Sequence, residues 1–177
     1  MRMILTAAAA ALASLILVSP SGAAIVGADS HGFEVRTSID LPVPPAQALA
    51  TFAQIGSWWS KDHSYSGNAA RLSLDLRPGG CWCEALDGGG GVEHMRVVFL
   101  EPGKRIVLTG GLGPLLFEAT SGVMDVRAVK APGGSTLSIN YRVAGFARGN
   151  GTEMAVAVDQ VIRTQAERLK AAASKKR

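Results

Sequence analysis

Between Arg71 and Val143 the chain alternates short strand-like runs with tight turns, and this spacing permits little except an antiparallel meander. The predicted strands are Arg71 to Leu76, Cys81 to Leu86, Val92 to Leu100, Arg105 to Thr109, Gly122 to Lys130 and Thr136 to Val143. Gly- and Pro-bearing segments separate them: Arg77 to Gly80, Asp87 to Gly91, Glu101 to Gly103, Gly110 to Pro114 and Ala131 to Gly134. Parallel neighbours would need long crossovers, so successive strands joined by short turns run antiparallel.

Upstream, Phe33 to Leu41 alternates with period two. Phe33, Val35, Thr37, Ile39 and Leu41 face one way, and Glu34, Arg36, Ser38 and Asp40 face the other, as in a half-buried strand. Pro42, Pro44 and Pro45 end it, and Pro45 suits a helix start, where its missing N–H costs nothing. A short helix over Ala46 to Gln54 follows, stopped by Gly56, with a turn or second short helix at Ser57 to Ser60. At the far end the pattern becomes helical. Thr152 is the expected N-cap, and Glu153 suits the positive end of the helix dipole. Met154, Val158, Val161, Ile162, Gln165 and Leu169 recur at three and four residues, a stripe for burial against a curved sheet.

The strand register follows from keeping apolar side chains on one face, because a one-residue slip reverses them all. Centring the Asp87–Gly91 hairpin on Gly89 sets Cys83 opposite Met95 and Cys81 opposite Val97. Glu84 then faces His94, and Trp82 faces Arg96, on the opposite side. Carried onward, this register sets Phe99 beside Ile106 and Val97 beside Leu108. Met124, Val126 and Ala128, then Leu137, Ile139 and Tyr141, continue the apolar face.

The order is therefore one strand, two short helices, about six antiparallel strands and a long C-terminal helix. It resembles the α+β helix-grip fold of the START-like, or SRPBCC, superfamily, nearest its polyketide cyclase and chaperone-ATPase-activator-like branch. The residues that carry the likeness are Pro44 to Phe52, Trp58 and Trp59, Arg77 to Gly80, Val92 to His94, Glu101 to Gly111 and the helix from Thr152. The order of elements is the specific part; no single motif is diagnostic. The likeness spans residues 32–172 and implies about seven strands curved around the terminal helix, leaving a cavity for a hydrophobic molecule.

Residues 1–24 read as a removed export leader. Arg2 precedes an apolar run from Ile4 to Val18, then Pro20 and the small residues Ser21, Gly22, Ala23 and Ala24. The run falls short of the roughly 20 residues that a spanning helix needs. No Cys follows it for lipid attachment. Cleavage is expected after Ala23 or Ala24, with Ala28 an alternative, giving a periplasmic or secreted domain at 32–172 and a basic tail at 173–177 with no stable membrane span. An exported protein departs from the many cytoplasmic relatives, and it argues against activating an ATP-dependent chaperone. The 18 Lys and Arg exceed the 14 Asp and Glu, but Arg2, Lys175, Lys176 and Arg177 account for the excess, leaving a neutral body. Such a body offers no basic face for nucleic acid.

Under the resemblance, Trp58, Trp59 and Tyr65 belong at the cavity mouth, where large rings with a polar tip suit an amphipathic ligand. Met95, Phe99, Leu108, Met124, Tyr141, Met154 and Val158 line the interior; for each alone, plain core packing is the simpler reading. His94 with Glu84 is the one acid–histidine pair that the register brings together, and such a pair can make a general base. The register places it opposite the apolar wall, as a surface ion pair with Arg96 stacked on Trp82. A register in error by one would turn His94 inward.

Cys81, Cys83, His94 and Glu93 do not make a metal site, since Cys-x-Cys lacks the second half of a ligand pattern. The cysteines read as small buried hydrophobes, their strand spacing near the limit for a bridge. Gly110 to Pro114 lacks the ending of a phosphate loop and reads as a connection at the cavity rim. No nucleophile elbow or triad spacing occurs. The expected function is thus an exported, cofactor-free binding protein for a small hydrophobic or amphipathic molecule. A cyclase or dehydratase using Tyr141, His94 or Glu93 is the alternative, and an envelope interaction or stress protein with a vestigial cavity a third.

Overall fold

The computed structural model describes residues 24–146 and 148–175. The leader read at residues 1–24 lies outside these up to residue 23, as do tail residues 176 and 177. The elements are β1 (Ala24–Ala28), β2 (Gly32–Leu41), α1 (Pro45–Ala53), β3 (Leu72–Leu74), β4 (Cys81–Ala85), β5 (Gly91–Glu101), β6 (Arg105–Gly110), β7 (Ser121–Ala131), β8 (Gly134–Ala144) and α2 (Gly151–Ser174). All pairings are antiparallel, in one eight-stranded sheet ordered β1-β2-β8-β7-β6-β5-β4-β3. The fold is α+β, a helix-grip arrangement with α2 against the sheet. The strand beyond the expected seven is β1, five exposed residues on the edge of β2, formed where the sequence shows no alternation.

β2 keeps its predicted alternation, with Phe33, Val35, Thr37, Ile39 and Leu41 buried. Pro45 opens α1 as expected. Beyond α1, short 3₁₀ turns at Ile55–Ser57, Lys61–His63 and Ala69–Arg71 carry the chain across one end of the sheet to β3. Trp58 ends α1 by donating its Nε1–H to the Thr51 and Phe52 carbonyls at 3.0 and 3.1 Å. Those carbonyls lie in the last turn, where i+4 donors run out; the Thr51 carbonyl also accepts from Gln54 N at 3.1 Å.

α2 buries Ile162, Gln165 and Leu169 of the predicted stripe but not Met154, Val158 or Val161. Its buried residues are Gly151, Ala155, Asp159, Ile162, Gln165, Ala166, Leu169 and Ala173. Small side chains therefore make up half of this buried seam and let the helix approach closely. Met154, Val158 and Val161, one step round the helix, are only half-buried. The N-cap is Asn150 rather than Thr152, and its side chain makes no capping bond. Gly151 N–H instead donates to the Ser30 carbonyl at 3.2 Å, and a Cβ there would lie 2.8 Å from Gly32 N. A side chain at this position would push the helix start off the β1–β2 turn.

Two one-residue bulges in β5 correct the register. Cys83 pairs with Glu93, yet Trp82 pairs with Met95, which leaves His94 as the extra residue. A bulge turns successive side chains to one face, so His94 and Met95 are both buried. Everything before the bulge is thereby reversed relative to the expectation: Trp82 and Glu84 point inward, while Cys81, Cys83 and Glu93 point outward. Gly110 makes room for it, since a Cβ there would clash with the His94 carbonyl oxygen and lie 2.7 Å from Met95 Cα. The second bulge leaves Val98 unpaired and sets Phe99 against Val107, not Ile106. Phe99 is accordingly 44% exposed on the outer face, with the Arg105 guanidinium 5.4 Å from its ring centre.

The cysteines also differ from the expectation of two buried hydrophobes. They are bridged and half-buried on the outer face of β4, with Cα atoms 5.3 Å apart. Residues two apart on a regular strand are separated by about 6.6 Å, so the strand is drawn in at Trp82.

Candidate functional site

A cavity of about 440 Å³ lies between α2 and the β3–β5 end of the sheet. Four parts of the chain enclose it. Trp59 and Tyr65 come from the segment after α1, Leu72, Trp82 and His94 from the sheet, Leu112, Pro114 and Phe117 from the β6–β7 connection, and Met154, Val158 and Val161 from α2. The half-buried residues of α2 are thus the cavity wall. Asp62, His63 and Ser64 also border it, and Phe117, 77% exposed, overhangs the mouth.

Each wall is pinned by polar contacts that point away from the void. Gln165 Oε1 accepts from Ser60 N at 2.9 Å, and Arg168 donates to the Trp58 and Trp59 carbonyls at 2.8 and 3.3 Å. These bonds bind the Trp58–Ser60 segment to α2. Trp59 Nε1–H is taken by the His63 carbonyl at 2.8 Å, and its ring meets Trp82 edge-on at 5.1 Å. Tyr141 O–H donates to the Gly110 carbonyl at 3.2 Å and accepts from Leu112 N at 3.3 Å, which fixes the rim connection. Burial pushes the Tyr141 phenol up to about 12, against the smaller opposing effect of the Leu112 N–H.

At the base, Glu84 is 1% exposed and His94 5%. His94 Nε2 and Glu84 Oε2 are 3.0 Å apart. The carboxylate also accepts from Tyr65 N at 3.1 Å and Ser66 N at 2.5 Å. Burial opposes its ionisation, but the donors from Ser66, Tyr65 and His94 together outweigh burial and hold its pKa below the ordinary value. For His94, burial dominates over the attraction of Glu84, so its pKa lies below the usual histidine value. A neutral imidazole beside an ionised carboxylate donates Nε2–H and keeps Nδ1 unprotonated. The Tyr65 ring stacks on the imidazole at 5.7 Å and 25°, and its O–H donates to the Gly113 carbonyl at 2.7 Å.

The predicted residues divide by place. Trp59, Tyr65, Met154, Val158 and His94 border the cavity, with Glu84 directly beneath. Trp58, Met95, Leu108, Met124 and Tyr141 are buried in the surrounding core instead. Phe99 and Glu93 face outward, and Glu93 pairs with Arg96 at 3.0 Å. His94–Glu84 is therefore a buried pair rather than the expected surface one, and Trp82 contacts Trp59 and Phe52 rather than stacking under Arg96. Trp82 and Phe117 were not among the expected lining residues. Gly110 opposite β5 was the available signal for the bulge that turns Trp82 inward. Among the described residues no group of three metal-ligating side chains occurs, and no helix is long and apolar enough to cross a membrane.

The pair makes stability pH-dependent with a defined sign. An unfolded chain protonates histidine near 6.5 and glutamate near 4.5, and both groups have lowered values in the fold. Below each ordinary value the unfolded state binds more protons, so stability falls as pH falls. The urea midpoint is expected to be level above pH 7 and to decline progressively as pH falls through the two windows, below 6.5 and then below 4.5. His94→Phe should remove the upper part of that decline. A midpoint that holds or rises on acidification contradicts the assignment.

Residues 32–174 match the model of a family described as polyketide cyclase / dehydrase and lipid transport. Among solved structures, a Mesorhizobium loti protein is similar with a TM-score of 0.59 at 17% identity, covering 81% of this chain and 98% of that one. A Rhizobium leguminosarum protein gives 0.57 at 19% identity, covering 81% and 95%. A Rhodobacter sphaeroides protein gives 0.57 at 14% identity, covering 88% and 100%. Identities this low show the fold alone. No curated protein sequence matches. The family model spans β2 to the end of α2, and on that extent the chain belongs to the polyketide cyclase / dehydrase and lipid transport family.

Proposed function

We propose that the protein is exported and holds a small hydrophobic or amphipathic molecule between its sheet and α2. The cavity carries this reading: about 440 Å³, walled by Trp59, Trp82, Leu112, Met154, Val158 and Val161, with the Trp59 N–H engaged outside it. Its volume lies in the range of small-molecule sites, about 300–1,000 Å³. 1-Aminoanthracene, a fluorophore that brightens in apolar surroundings, tests it. The wild-type protein should enhance its emission saturably, and Val158→Trp, which fills the void, should abolish the enhancement while leaving the far-UV circular dichroism unchanged. No enhancement by the wild type, or equal binding by the filled variant, overturns the reading.

Export rests on the leader-like residues 1–24, and the bridged Cys81–Cys83 pair accords with it, because oxidising compartments favour such bonds. Intact-mass analysis of protein recovered from its own cells should give a mature N-terminus within residues 24–29. A chain that retains Met1 in the cytosol contradicts export.

One observation favours a second reading, catalysis of the cyclase or dehydratase type: an unprotonated His94 nitrogen, backed by an ionised carboxylate, borders the cavity. Such a nitrogen can remove a proton next to a ketone. A short synthetic polyketone should then lose water faster with the wild type than with His94→Phe. Equal rates for both proteins contradict this reading.

A further inference from the structure

The cavity wall has few polar groups, and the sense of their hydrogen bonding limits what can bind. Trp59 N–H and Tyr65 O–H each donate away from the void, to the His63 and Gly113 carbonyls. His94 gives its Nε2 side to Glu84, and among the described residues no hydrogen bond engages Nδ1. His94 borders this cavity, so Nδ1 is open to it. Asp62 and His63 border it only from the exposed turn at Lys61–His63, the Ser64 hydroxyl donates to the Lys61 carbonyl at 2.7 Å, and the Trp82 N–H is sealed off without a partner. Away from that turn, what remains for a guest is acceptor capacity: the Nδ1 lone pair and a lone pair of the Tyr65 hydroxyl.

Charge is disfavoured in either sign. An anionic group at Nδ1 would meet a lone pair, with the Glu84 carboxylate 3.0 Å behind the far side of the ring. A cation would find that carboxylate already engaged by Tyr65 N, Ser66 N and His94. Apart from the exposed Asp62 and His63 at the border the walls are apolar, so either charge beside Nδ1 would lose water for little in return.

We infer that the molecule held here is neutral and apolar apart from a phenolic or alcoholic hydroxyl, which it donates to His94 Nδ1. This deepens the binding reading above and rests on it. Ionised fatty acids and other carboxylates are excluded as preferred guests, and the ring faces of Trp59, Trp82 and Tyr65 favour a flat ring system next to the hydroxyl.

Three probes that share one bicyclic body separate the possibilities: 2-naphthol, 2-methoxynaphthalene and 2-naphthoate, titrated calorimetrically into the full protein at neutral pH. The naphthol should bind about three- to tenfold more tightly than the ether, the range for one net hydrogen bond. The ether is the more hydrophobic of the two, so apolar burial alone would reverse that order. The naphthoate should bind most weakly. In His94→Phe the naphthol and the ether should lose their difference. Should that variant not fold, ¹⁵N resonances of the wild-type imidazole provide the second measurement. Nδ1 should resonate as an unprotonated nitrogen and shift on addition of naphthol but not of the ether. Equal affinities for naphthol and ether, a preference for naphthoate, or a protonated Nδ1 each overturn the inference while leaving the cavity reading intact. Failure of all three probes to bind overturns the cavity reading and this inference with it.

Discussion

The Glu84 carboxylate ties the segment after α1 to two paired strands of the sheet. It projects inward from β4, takes N–H groups from Tyr65 and Ser66 in the segment after α1, and takes the imidazole of His94 from β5. A buried carboxylate without such donors would be strongly unfavourable, so the three contacts are conditions for its burial as well as restraints on geometry. The consequences reach the rim. With its backbone held by Glu84, Tyr65 lies over His94 and its hydroxyl reaches Gly113, joining the sheet to the connection that overhangs the mouth.

The cavity exists because α2 uses two kinds of side chain on adjacent faces. Ala155, Ala166 and Ala173 allow close contact with the sheet, while Met154, Val158 and Val161 project into space that neither sheet nor connection fills. Gln165 and Arg168 hold the Trp58–Ser60 segment, so the helix also fixes the opposite wall. Trp58 and Tyr141 act from outside the void, one closing α1 and the other restraining the rim. Both were expected to line the cavity under the family resemblance, and both prove to be supports.

Fold and chemistry separate clearly in this protein. The helix-grip architecture recurs in proteins at 14–19% identity, and such sharing conveys no substrate or reaction. The individual character of the site lies in His94, Glu84, Tyr65 and the two tryptophans that meet at its base. Those residues give the wall an acceptor in otherwise apolar surroundings, a feature the architecture by itself does not require.

The sequence by itself determined the main elements from β2 to α2 and their order, but not the edge strand β1. Period two in β2, Pro45 at the start of α1, the glycine and proline turns and the helical repeat of α2 are local properties, visible wherever backbone geometry and one apolar face decide the structure. It also brought His94 and Glu84 together, since hairpin neighbours are constrained by chain length. The direction of that pair was decided only by tertiary structure. One extra residue in β5, accommodated by Gly110 on a neighbouring strand, reversed the faces of Trp82, Glu84 and both cysteines, while a second bulge sent Phe99 outward. Likewise, the choice between large and small residues on α2 depended on where the sheet lay close and where it did not. Periodicity records which residues share a face; it cannot record where a strand gains a residue or where packing leaves a void, because both depend on neighbours distant in the chain.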